Sequence, residues 1–121
     1  MNFDLPFTPN RTAIPRESGL TMMMDKGLSW RQAENFVDSC AHLTDLVKLG
    51  FGTSYVTNDL ERKIEIYHQA GMKVYLGGTL FEAFIIRGMF EEYKDLLRKL
   101  KLTTVEVSDG SVELNHDLKC Q

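Results

Sequence analysis

Apolar positions along this chain alternate between two rhythms: short continuous runs of strand length, and longer stretches with apolar residues three and four apart. Residues 1–18 come before either rhythm. Pro6, Pro9 and Pro15 forbid a regular helix there, so this segment reads as an extended N-terminal arm. Residues 20–24 form the first apolar run, followed by Asp25-Lys26-Gly27. Ser29 with Gln32 three residues on has the form of a capping box, and Ala33, Phe36, Val37 and Cys40 follow at helical spacing. Residues 43–49 are the second strand candidate and lead into Gly50-Phe51-Gly52-Thr53-Ser54. Asn58, with Glu61 three residues later, predicts the cap of a second helix carrying Leu60, Ile64 and Tyr67 and ending at Gly71. Residues 72–76 give the third strand, followed by Gly77-Gly78-Thr79. An apolar helical stretch over 80–87 follows, with Gly88 as a possible interruption before Phe90, Tyr93, Leu96, Leu97 and Leu100. The β-branched run 103–107 predicts a fourth strand, followed by Ser108-Asp109-Gly110-Ser111, a loop and the start of a fourth helix.

The order β-α-β-α-β-α-β implies an α/β fold of parallel (β/α) units with right-handed crossovers. Residues 19–121 would then hold four strands and three helices. The strands are mostly apolar rather than alternating, which predicts a sheet buried on both faces. An open doubly wound sheet and half of a TIM barrel both fit this pattern.

Composition narrows the functional classes. Of 121 residues, 43% are hydrophobic and 26% charged, and the net charge is −3 with both signs interleaved. This leaves no basic footprint for nucleic acid and no polybasic segment for a membrane surface. No apolar run has the length of a signal peptide or of a membrane span. Cys40 and Cys120 match no zinc or redox spacing and read as reduced thiols of a cytoplasmic protein. His42, His68 and His116 are scattered, and Met22, Met23 and Met24 read as strand core.

In parallel α/β folds chemistry gathers at the carboxyl ends of the strands. Every predicted strand here ends in a polar or glycine-rich motif. Asp25 and Lys26 are either a charge pair at the mouth of a site or a polar turn before a capped helix. Lys48 interrupts an apolar strand, and buried lysine needs a partner. It either holds an anionic group or pairs with Asp45 or a neighbour. Gly50, Gly52, Gly77 and Gly78 precede helices, where backbone N–H groups can receive phosphate, and Thr53, Ser54 and Thr79 would add hydroxyls. Tight turning is the plainer explanation, since neither loop is a Walker or dinucleotide motif. Glu82 either complements the dipole of the third helix or points into the site. Glu106 and Asp109 bracket the end of the fourth strand. Two carboxylates there would suit Mg²⁺, and the alternative is an ion pair with a base such as Lys48.

Together these motifs resemble the phosphosulfolactate synthase family. The residues that carry the likeness are Met24-Asp25-Lys26-Gly27, Val47 through Ser54, Lys73 through Glu82, and Val105 through Ser111, with Pro15-Arg16-Glu17-Ser18-Gly19 leading in. Phe51 stands where the family typically has Trp, and Leu76 where many members have Pro. The resemblance implies a TIM barrel, of which this chain supplies the first half. It also implies Mg²⁺-dependent addition of sulfite to phosphoenolpyruvate, giving phosphosulfolactate on the route to coenzyme M, or sulfolactate in bacterial members. On that basis Lys48, Asp25 and Lys26 are the catalytic candidates. Gly52, Thr53, Ser54, Gly77, Gly78, Thr79, Ser108 and Ser111 would bind substrate or phosphate, and Glu106 and Asp109 would bind the metal. A Glu-Val-Gly-Lys-Lys-like run, where the resemblance places the family's proton donor, does not occur here. A half-barrel exposes apolar surface and open strand edges, so the chain is expected either to be part of a longer polypeptide, the favoured reading, or to pair with a second copy. Heat-stress-associated plant relatives of the same fold supply the competing function, an interaction protein without catalysis.

Overall fold

The computed structural model describes residues 2–120. Three parallel strands form one sheet: β1 (Met22–Asp25), β2 (Leu46–Leu49) and β3 (Lys73–Leu76), in the order β1-β2-β3. Met24, Lys48 and Tyr75 stand side by side across it, as do Asp25, Leu49 and Leu76. Between the strands run α1 (Trp30–Cys40) and α2 (Leu60–Gln69). After β3 come α3 (Gly78–Ile85), α4 (Phe90–Lys99) and a single turn, α5 (His116–Lys119).

Local chemistry fixes these boundaries. The Ser29 hydroxyl accepts from the Gln32 N–H while the Gln32 side chain accepts from the Ser29 N–H, the reciprocal pair that starts α1. The second helix starts differently from the sequence reading. Its cap is Asp59, in the left-handed region with φ 54°, and not Asn58. It ends at Gly71 (φ 81°), where the Gly71 N–H donates to the His68 carbonyl and the Met72 N–H to the Tyr67 carbonyl, a Schellman closure. The same pair of bonds, from Gly88 to Ile85 and from Met89 to Phe84, separates α3 from α4.

The strands alternate in burial instead of being covered on both sides. Val47, Leu49, Val74 and Leu76 are buried with Ala33, Ile64, Tyr67, Leu80 and Phe81 in one core. Leu46, Lys48 and Tyr75, on the opposite face, are only half-buried. The physical reason is topological. Strands added in chain order, all parallel and all joined by crossovers of one hand, place their helices on one face of the sheet. A doubly wound sheet would need the strand order to reverse, and no reversal occurs among the described residues.

The predicted fourth strand is not one. Residues 103–107 are irregular, so the described residues hold three strands, five α-helices and two 3-10 turns rather than four strands and three helices. Strand propensity is realised only against a pleated partner and a packed face. Here Val105 and Val107 stay about half exposed, while Glu106 turns across the end of the sheet toward β2. At the opposite end, Arg16 of the arm grips both Asp45 oxygens at 3.0 and 3.1 Å. The Thr21 N–H, at 2.7 Å, and then Arg16 hold the Asp45 carboxyl below its usual range. Asp45 is therefore not the partner of Lys48. No helix among the described residues is long and apolar enough to cross a membrane.

Candidate functional site

The carboxyl ends of the three strands bring together most of the residues singled out by the sequence. Asp25 ends β1 and is fully buried. Its Oδ1 accepts from the N–H groups of Gly27 (2.8 Å) and Leu28 (2.7 Å), and its Oδ2 from the Tyr67 hydroxyl (2.9 Å). Oδ2 also lies 3.0 Å from Lys63 Nζ, which is equally buried and donates to the Leu28 carbonyl at 2.9 Å. Burial, then the Asp25 charge, pushes the Tyr67 phenol well above its ordinary range. With both oxygens engaged, Asp25 shapes the β1–α1 turn and presents nothing to a ligand. Lys26 beside it is exposed, with its ammonium 5.8 Å from the centre of the Phe51 ring.

Lys48, on β2, reaches Glu106, whose Oε1 lies 2.8 Å and Oε2 2.7 Å from Nζ. The side chains keep 20% and 29% exposure, so solvent and solutes can reach the pair. Around it, the glycines supply room. A side chain on Gly77 would sit 3.1 Å from both Lys48 Cε and the Leu49 carbonyl. One on Gly78 would collide with Ser108 and come 2.9 Å from Glu106 Oε1. Gly77 caps α3 and Gly78 opens it, so the Glu106 carboxylate rests against the positive end of that helix.

Glu82 lies one turn into α3, on the same face as Gly78, and is buried. It accepts from the Ser108 hydroxyl (2.5 Å) and from the N–H groups of Gly110 (2.9 Å) and Ser111 (2.8 Å). The Ser108 bond, with the backbone donors behind it, lowers the Glu82 carboxyl below its usual range. Ser108 and Ser111 were expected to bind substrate or phosphate; the Ser108 hydroxyl and the Ser111 N–H are instead directed at Glu82. Thr53 folds back on its own loop, its hydroxyl 2.7 Å from the Gly50 carbonyl. Gly52 takes the left-handed conformation (φ 70°) that starts the 3-10 turn Thr53–Tyr55. Ser54 is buried, and its hydroxyl has no partner among the described residues. Thr79 is exposed in the first turn of α3.

The two expected metal ligands are spent on lysines. Glu106 pairs with Lys48, and Asp109 pairs with Lys119, which holds the Asp109 carboxyl below its usual range. Among the described residues no three His, Cys, Asp or Glu side chains converge as a metal site. As placed, Glu106 and Asp109 do not fit Mg²⁺, which takes oxygen ligands in near-octahedral order. Lys63 was not singled out from the sequence, although Leu60, Lys63, Ile64 and Tyr67 share helical spacing. A lysine within an apolar stripe demands a buried carboxylate, and that signal was available.

The fold and these strand-end groups define a parallel α/β protein with a part-exposed lysine–carboxylate pair, Lys48–Glu106, at the strand ends beside the first turn of α3. Residues 9–121 match the family model described as (2R)-phospho-3-sulfolactate synthase (ComA). The chain belongs to that family. It is similar to phosphosulfolactate synthases of Methanocaldococcus jannaschii (41% identical, 82% of this chain and 40% of the relative) and Methanothermobacter thermautotrophicus (34%, 94% and 45%). It is also similar to that of Bacillus subtilis (30% identical, 92% of this chain and 44% of the relative). The chain therefore spans less than half the length of the curated relatives it matches.

Proposed function

We propose that this chain carries part of the site of a phosphosulfolactate synthase-type lyase, completed by further strands into a TIM barrel. The reaction joins sulfite to phosphoenolpyruvate and gives 2-phospho-3-sulfolactate. The sulfite sulfur lone pair forms a C–S bond to the methylene carbon. The C=C π electrons move toward the carboxylate, and a proton is delivered to the phosphate-bearing carbon. Both substrates are anions, so cationic groups must offset their repulsion. Stabilisation counts most where charge grows on the carboxylate in the transition state.

The observation that carries this reading is the Lys48 ammonium at the strand ends, held by one part-exposed carboxylate beside the first turn of α3. Lys48 would receive the substrate carboxylate or phosphate, exchanging Glu106 for it, and the N–H groups at Gly78 and Thr79 would add to the anion's binding. Asp25, with Lys63, would hold the neighbouring loop in shape. Mg²⁺ belongs to the reading of the complete protein, but no step is derived through it, since Glu106 and Asp109 as placed each neutralise a lysine.

Phosphoenolpyruvate titrated against the chain should raise its melting temperature by mass action, and Lys48→Met should abolish the shift while leaving the unliganded protein folded. Sulfite-dependent loss of phosphoenolpyruvate, followed by phosphorus NMR, then tests turnover in the completed barrel. Absence of any phosphoenolpyruvate-dependent shift in the unaltered chain would overturn the assignment of Lys48.

A further inference from the structure

Gly78 and Glu82 stand four residues apart on one face of α3 and act on one neighbouring segment, 106–111. Gly78 provides the space into which Ser108 and Glu106 press. Glu82 provides the acceptor on which Ser108, Gly110 and Ser111 converge. A hydroxyl and two nearby backbone N–H groups aimed at one carboxylate form the kind of concavity that proteins use for bound oxyanions. Here the anion is supplied from within, by a carboxylate only 2% exposed. Segment 103–109 has no strand pairing of its own to fix its path. Its anchors at the sheet end are the Glu82 bonds and the ion pair of Glu106 with Lys48.

We propose that Glu82 is the positioning residue of this site: it binds the 108–111 turn as an internal anion and so sets Glu106 against Lys48. This deepens the function proposed above by naming what determines the state of Lys48. Without the Glu82 anchor the turn leaves Gly78, Glu106 withdraws with it, and Lys48 loses its only carboxylate partner among the described residues. Glu82 itself touches no reacting atom in this scheme. It acts through Glu106.

The test needs no substrate, so it stands apart from the lyase assignment. Reductive methylation of each lysine is followed by mass spectrometry in the unaltered chain, in Glu82→Gln and in Glu106→Gln. A lysine nitrogen covered by a carboxylate is shielded from reagent, so Glu106→Gln defines the released rate at Lys48. Glu82→Gln should bring Lys48 to that same rate, several-fold above the unaltered chain, with Lys73 and Lys94 unchanged and the buried Lys63 still protected. General loosening would instead raise Lys63 as well, and that result overturns the proposal. So does a Lys48 rate that stays unaltered while the Gly110 and Ser111 amides lose protection from hydrogen exchange. Should Glu82→Gln fail to fold, Ser108→Ala keeps Glu82 and both backbone donors. It should raise the Lys48 rate in the same direction by a smaller factor, and no change there also overturns the proposal.

Discussion

Two lysine–carboxylate pairs sit at adjacent strand ends and do opposite things. Lys63–Asp25 is sealed from solvent on both sides, and every Asp25 oxygen has further donors. Lys48–Glu106 is about a quarter exposed, and Lys48 has no second acceptor among the described residues. The contrast separates a saturated pair from one open to exchange, without appeal to residue type. A saturated, buried pair cannot exchange partners, because the alternative is an unpaired charge in a low dielectric. An open pair can, because water and solute anions compete on nearly equal terms.

The largest expected effect comes from breaking the sealed pair. Asp25→Ala should cost about 3–5 kcal/mol of stability in urea denaturation, since Lys63 is left charged and buried. A cost under about 1 kcal/mol would mean that this pair resembles an exposed one after all, and the comparison would collapse. Glu106→Gln sharpens it from the other side. Removing that carboxylate should change stability by no more than about 1 kcal/mol, while tightening phosphoenolpyruvate binding, because Lys48 is freed from an internal competitor.

A smaller, local effect is expected from acid. The folded-state value of Glu82 is lowered, chiefly by the Ser108 hydroxyl. Its contribution is therefore complete above the ordinary glutamate value and is lost as pH falls through the lowered one. The Gly110 and Ser111 amide resonances should shift toward disordered values in that acid window. Amides that hold their folded positions throughout that window would show that the Glu82 charge does not anchor the turn.

Much of this was written in the sequence where the signal is local. The Ser29 and Gln32 capping box, the helix stop at Gly71 and the break at Gly88 each depend on neighbours in the chain. Lys48 was legible as a partnered lysine because it interrupts an apolar run. What sequence did not carry was choice among distant partners. Asp45 lies nearer to Lys48 in the chain, yet it is taken by Arg16 at the other end of the sheet. Residues 103–107 have the composition of a strand, but strand formation depends on what packs beside it, and nothing local encodes that. The Gly78 and Glu82 spacing became meaningful only once Ser108 was found pressed between them.

The order β1-β2-β3 also has a consequence in time. Met22 pairs with Leu46, and Leu46 with Lys73, so each strand docks on the one made just before it. During synthesis, a newly emerged strand and helix can therefore join a sheet already waiting, without holding long stretches of chain open for a distant partner. Growth in this manner always leaves the newest strand as an unpaired edge. Until it is covered, that edge is where a nascent chain is most exposed to pairing with the wrong neighbour.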